Sequence, residues 1–260
     1  MKNEIRIFFT ALMFYTRIPC PKNIDHHPDN INKATRYFPL IGWIVGGISF
    51  AAYWISSLVF SDSISVVFSL IAGVLTTGAF HEDGLADVVD GFGGGWTKEK
   101  ILDIMKDSRV GAYGVIALIF LFLLKFLALK ELLTLVKSPF IIAVLFISYH
   151  SLARGTAINI VFASQYSRDD ETSKAKPIAK THGKIEIAGA YFFGLLPIAA
   201  LCFISLKLIA VLLPLLAVFY FSKRYFEKWI HGYTGDCLGA VEQIAECVTI
   251  LSFLALWKFM

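Results

Sequence analysis

The hydrophobic positions of this chain fall into long uninterrupted runs, not alternating ones. Runs at 39–60, 63–80, 110–129, 139–163, 187–206, 208–222 and 237–257 are separated by polar stretches. A hydrocarbon core about 30 Å thick requires roughly 20 apolar residues per helix. The pattern therefore predicts an all-α polytopic membrane bundle of about seven transmembrane helices, within a range of roughly six to eight. The range has two sources: 208–222 is short, and 237–257 carries Glu242, Gln243 and Glu246 in its first turns, at the interface or facing the bundle interior. Residues 7–15 are too few to span, have no small-residue cleavage site and run into Arg17-Ile18-Pro19-Cys20-Pro21. They predict a short interfacial or bundle-packed helix and no secretory signal.

Composition agrees with a bilayer solvent. The 260 residues are 57% hydrophobic and 17% charged, with a mean hydropathy of +0.66, whereas soluble domains average about 45–50% and about 25%. No stretch has the alternation of a separate soluble unit, so 1–260 reads as a single integral membrane domain. Segments 1–38, 81–109, 164–186 and 223–236 hold 18 of the 24 Lys and Arg residues, which predicts that these segments, the N-terminus included, are cytoplasmic. The net charge of +4 is dispersed and forms no basic run, so nucleic acid is not an expected partner. Cys20, Cys202, Cys237 and Cys247 have no metal-ligand spacing and read as buried or reduced thiols.

One segment breaks the apolar pattern. His81-Glu82-Asp83-Gly84-Leu85-Ala86-Asp87-Val88-Val89-Asp90-Gly91 leads into Gly93-Gly94-Gly95 and then Ile104-Met105-Lys106-Asp107-Ser108-Arg109. If the helix that begins near Ser63 continues to about Gly91, Asp83, Asp87 and Asp90 (i, i+4, i+7) fall within about 60° on one face. Three carboxylates so close repel unless a cation neutralises them. Oxygen ligands suit Mg²⁺ or Mn²⁺ with positions left for substrate phosphates. The expectation is an acidic metal and phosphate site at the cytoplasmic edge, with Asp83, Asp87, Asp90, Asp107 and Glu82 as candidate ligands.

The glycines end the helix and leave backbone for close approach to a ligand. Thr97 is the expected N-cap of a short helix 98–107 that carries Asp103 and Asp107 one turn apart. Asp107 is a ligand or the base for a substrate hydroxyl; Asp90 and Lys106 complete the candidate catalytic set. Lys106, Ser108 and Arg109 are candidate phosphate contacts; Arg17 is another, or a positive charge that only fixes orientation. Arg154, inside an apolar run, is a functional candidate or a snorkelling residue. Thr234 and Asp236 are substrate contacts or caps of the last helix. His81 is a neighbour of the ligands, an interfacial residue or a ligand itself. The bland alternative is a solvated loop whose charges only keep it out of the bilayer.

Asp87-Val88-Val89-Asp90-Gly91 with Asp103-x3-Asp107 is similar to part of the CDP-alcohol phosphotransferase signature, but the Ala-Arg after its first half and its second spacing are missing. The whole stretch from His81 to Gly114 resembles the cobalamin synthase family, the adenosylcobinamide-GDP ribazoletransferases. Phe14-Tyr15-Thr16-Arg17-Ile18-Pro19, Phe38-Pro39-Leu40-Ile41-Gly42 and Gly232-Tyr233-Thr234-Gly235-Asp236-Cys237-Leu238-Gly239-Ala240 resemble further elements of that family, in order. The loop Asp169–Pro177 is more lysine-rich than the family pattern.

The resemblance implies transfer of the adenosylcobinamide-phosphate moiety to the 3′-hydroxyl of α-ribazole or its 5′-phosphate, with release of GMP. It also implies Mg²⁺ and the inner membrane of a bacterium or archaeon. Gly93, Gly94, Gly95, Arg17, Lys106, Ser108, Arg109, Arg154, Thr234 and Asp236 would then contact substrate. A homo-oligomer or a complex with other cobalamin-assembly enzymes is compatible with it. The competing readings are a CDP-alcohol phosphotransferase making phospholipid and a divalent-cation transporter. Lys174, Lys176, Lys180 and Lys184 attract an anionic nucleotide or lipid, or only fix orientation.

Overall fold

The computed structural model describes residues 2–21, 28–167 and 182–260. Lys174, Lys176, Lys180 and the loop Asp169–Pro177 lie outside the described residues. Among the described residues the secondary structure is helical, with no named strand and a single isolated bridge between Tyr166 and Tyr233. The helices are α1 Lys2–Tyr15, α2 Pro28–Ala34, α3 Phe38–Ser57, α4 Asp62–Thr77, α5 Phe80–Gly94 and α6 Lys98–Ile104. They continue as α7 Ala112–Leu135, α8 Pro139–Ala163, α9 Lys184–Cys202, α10 Leu212–Ile230 and α11 Gly235–Trp257. Among the described residues six stretches are long and apolar enough to cross a membrane, or seven if α4 and α5 together make one bent span. The polytopic bundle is therefore what the hydrophobic pattern predicts. The short run 208–222 belongs to a longer helical stretch, Leu206–Ile230, that opens as a 3₁₀ turn.

α8 occupies the centre, its residues largely buried between α3, α9 and α11. Small residues let it be approached closely. A Cβ added at Gly42 would stand 2.7 Å from the His150 carbonyl oxygen, and one at Gly46 2.7 Å from that of Phe146. The obstacle in each case is backbone, which cannot swing aside. Gly46→Leu is accordingly expected to cost about 3 kcal/mol or more. Differential scanning of the detergent-purified variant should show its unfolding midpoint several degrees below that of the parent.

The sequence pattern allows the helix that begins near Ser63 to continue unbroken to about Gly91, and here the structure differs. Gly78 (φ 69°) and Ala79 (φ 59°) are both left-handed, and α4 and α5 meet at 88°. The backbone N–H groups of Gly78 and Ala79 both return to the Val74 carbonyl, closing α4 as a glycine C-cap does. Hydropathy misses the break because apolar residues flank it on both sides. Similarly, the helix expected over 98–107 stops at Ile104, and tight turns carry the chain on through Asp107. Its start is as predicted: the Thr97 hydroxyl accepts the Lys100 N–H at 3.3 Å.

Candidate active site

The elbow at Gly78–Ala79 turns α5 away from α4 and lays it against α11 and α7. Glycines set the separation from α11. A Cβ at Gly84 would meet the Asp236 carbonyl at 2.9 Å, and one at Gly239 the His81 carbonyl at 2.9 Å. Gly84 therefore holds Asp236 beside the acidic turn of α5. Arg17 lies over the elbow itself: its backbone N–H donates to the Thr76 carbonyl at 2.8 Å, and its Cγ would stand 2.8 Å from a Cβ on Gly78.

Because α5 is continuous from Phe80 to Gly94, the spacing of Asp83, Asp87 and Asp90 does put them on one face. Along that face exposure falls from the exposed Asp83 through the half-buried Asp87 to the buried Asp90. Among the described residues their oxygens do not come together as a trio within 4.8 Å. Asp90 has a second engagement. Its two oxygens accept the Gly111 N–H at 2.6 Å and the Gly114 N–H at 2.9 Å, the first free donors of α7, where a carboxylate is favoured by the helix dipole.

Glu82 is not on this face. It points into the bundle, where its Oε1 accepts from Gln243 Nε2 at 3.1 Å. Asp107 pairs with Arg109, whose Nη2 donates at 2.6 Å and Nε at 3.0 Å. The Arg109 side chain, and then its backbone N–H, bring the Asp107 carboxyl down to about 2. Lys106 and Ser108 are exposed beside this pair.

Two of the glycines expected to face a ligand serve packing. Tyr113 lies against Gly93, 2.8 Å from where a Cβ would be, and the Ile101 side chain lies 2.7 Å from that position on Gly95. Gly94 is more open, with Ile104 at 3.3 Å. Thr234, fully buried, is the N-cap of α11, its hydroxyl accepting the Cys237 N–H at 3.3 Å and lying 3.3 Å from Asp236 Oδ2. Capping thus falls to Thr234, while Asp236 stands half-buried next to Gly84.

The donor set of this face suits Mg²⁺. That ion keeps several waters and needs only one or two protein carboxylates plus substrate phosphates. Asp83 and Asp87 supply two oxygen donors one turn apart, and each Asp90 oxygen retains a lone pair beyond the N–H it accepts.

The family described as Cobalamin-5-phosphate synthase matches residues 7–254. The chain belongs to that family. It is 44% identical over 259 residues to a protein of Shewanella frigidimarina (strain NCIMB 400) called Adenosylcobinamide-GDP ribazoletransferase, covering 97% of this chain and 95% of that one. A protein of Shewanella amazonensis (strain ATCC BAA-1098 / SB2B) with the same name is 42% identical over 261 residues, covering 99% and 98%. No solved structure matches.

Within this family member the structure also assembles a set of residues that span prediction left scattered. Lys125 of α7 donates to Gln243 Oε1 and to Glu246 Oε2, both at 2.6 Å. Arg154 of α8 pairs with Glu242 at 2.7 Å and lies 3.4 Å from Glu246, and His150 Nδ1 meets Glu246 directly. All six are buried, so Glu242, Gln243 and Glu246 face the interior, and Arg154, 1% exposed, does not snorkel.

His150, Glu242 and Glu246 bring donor atoms within 4.8 Å of one another, the spacing a metal would need. Their oxygens already face Lys125, Arg154 and His150, so a cation would have to displace two fixed positive charges. The cavity beside them, lined by His81, Glu82, Lys125 and Gln243, measures about 20 Å³, room for a water and for no substrate group. The cluster is an ionic lock joining α7, α8 and α11. Its signal in the sequence is a balance of opposite charges within apolar runs, which are costly unless they pair.

Proposed function

We propose that this chain is an integral inner-membrane adenosylcobinamide-GDP ribazoletransferase. The observation that carries the reading is the 44% identity over 97% of the chain to a relative of that name. In the proposed reaction the 3′-oxygen of α-ribazole, or of its 5′-phosphate, forms a bond to the phosphorus attached to cobinamide. The pyrophosphate P–O bond breaks, its electron pair leaves with GMP, and the hydroxyl proton passes to water. The Lys and Arg bias supports a cytoplasmic N-terminus and a cytoplasmic α5–α7 edge.

Asp83 and Asp87 would hold Mg²⁺, with Asp90 at the far end of the face. Bound there, Mg²⁺ supplies charge neutralisation for the diphosphate and the leaving GMP. Such transfers are accelerated mainly by positioning and electrostatics. Arg17 at the elbow and Lys106 and Arg109 on the following loop are proposed to contact the diphosphate, Arg offering a planar fork. Asp107 is assigned to binding and not to proton abstraction. Arg109 engages its carboxylate at 2.6 and 3.0 Å and lowers its pKa, which favours a carboxylate that stays charged. Asp236, beside Gly84, is proposed to contact the acceptor.

The test is GMP formation from adenosylcobinamide-GDP and α-ribazole by the purified protein in detergent or liposomes. We expect turnover with MgCl₂ and its loss, by about 100-fold or more, after chelation with EDTA. Labelled CDP-alcohol in place of adenosylcobinamide-GDP should give no product. Turnover of CDP-alcohol alone would transfer the reading to phospholipid synthesis.

A further inference from the structure

We infer that Gln243 is a positioning residue for the acidic helix: through Glu82 it sets the rotation of α5 about its own axis. The inference rests on the proposed divalent-cation role of Asp83 and Asp87.

The argument begins at the elbow. With both Gly78 and Ala79 left-handed, no run of helical hydrogen bonds carries the orientation of α4 into α5. The azimuth of α5 must therefore come from side contacts. Polar contacts hold it near each end. Near the C-terminal end, Asp90 accepts both N–H groups from the start of α7. In the first turn, Glu82 is anchored by Gln243 Nε2 at 3.1 Å.

The Gln243 amide is itself fixed. Its Nε2 also donates to Glu242 at 2.9 Å and its Oε1 accepts from Lys125 at 2.6 Å. Gln243 and Glu82 are 2% and 8% exposed, so bulk water does not reach them, and the adjoining cavity of about 20 Å³ has room for a single water only. One neutral amide thus ties α5 to the charged lock of α7, α8 and α11, and it does so one residue before Asp83.

The geometry makes this contact consequential for a ligand on the opposite side. A side-chain carboxylate sits roughly 5–6 Å from a helix axis, so a rotation of about 10° moves it by roughly 1 Å. Metal–oxygen distances tolerate about 0.2 Å. Loss of the Glu82–Gln243 contact should therefore loosen the cation face without touching any group on it.

The test uses the full-length protein in detergent, with MnCl₂ as the probe, binding followed by loss of the free-ion EPR signal. Kinetics and unfolding midpoint are recorded beside it. Gln243→Asn keeps the amide but is one methylene too short to reach Glu82 and Lys125 together. It should raise the half-saturating Mn²⁺ concentration about tenfold or more, the usual effect of losing an outer-shell contact, with an unfolding midpoint close to that of the parent. Glu82→Gln retains an acceptor for Gln243 and should bind Mn²⁺ as the parent does, which a direct Glu82 ligand would not allow. Glu82→Leu and Gln243→Leu combined should weaken binding no more than either alone.

Unchanged Mn²⁺ binding in Gln243→Asn, with binding lost in Asp87→Asn, overturns this inference and leaves the proposed function standing. Unchanged binding in Asp87→Asn instead overturns the cation role on which both depend. Failure of both Gln243 variants to fold would assign the residue to assembly alone and likewise overturn the inference.

Discussion

Asp87→Asn is expected to lower GMP release by about 100-fold or more while leaving the unfolding midpoint unchanged. Asp87 stands mid-helix on the acidic face, half-buried. Replacing its carboxylate keeps shape and helix but removes a full charge from the proposed cation site, the kind of loss that costs about 10²–10³ in turnover.

Asp90→Asn makes the informative contrast. Both Asp90 oxygens accept N–H groups from the start of α7. An asparagine offers one acceptor and turns its NH₂ toward the other donor. This variant should lose activity and also unfold earlier, by about 1–2 kcal/mol of capping energy. Initial rates and scanning calorimetry on the two proteins separate the roles. Parent-level turnover in Asp87→Asn would remove the acidic face from the reaction.

The second large effect lies in the membrane interior. Arg154→Leu should destabilise the bundle by about 3–5 kcal/mol, the cost of breaking a buried pair from one side. It leaves Glu242 and Glu246 facing Lys125 alone among fixed cations. The double variant Arg154→Leu/Glu242→Leu removes the orphaned charge together with its partner. It should recover a large share of the loss, since opposed charges replaced by apolar groups are often neutral in their effect on stability. Unfolding by denaturant in a fixed detergent, analysed as a double-mutant cycle, reads the coupling directly. Additive losses would show that Arg154 and Glu242 stabilise the bundle independently, despite their 2.7 Å contact.

Much of the architecture is legible without coordinates. Apolar run length depends only on bilayer thickness, so α3, α8, α9 and α11 appear in the sequence to within a few residues, whereas α7 continues to Leu135, well past the run that ends at 129. Intrahelical spacing is equally local: Asp83, Asp87 and Asp90 share a face because α5 is helical, whatever it packs against. The Thr97 cap is likewise a short-range choice between one hydroxyl and a backbone N–H three residues on.

What the tertiary structure alone decided are the partners. Hydropathy at Gly78–Ala79 carries no sign of a right-angled turn, because the packing of α5 on α11, through Gly84 and Gly239, rewards the bend only once both helices exist. Asp90 could be read as a ligand but not as the cap of α7, because its donors come from Gly111 and Gly114 across an intervening helix. Glu82 and Gln243 are 161 positions apart and Lys125 and Glu246 are 121 apart. A lone charge in an apolar run announces that it needs a counter-charge. Which one it finds is set by how the helices cross.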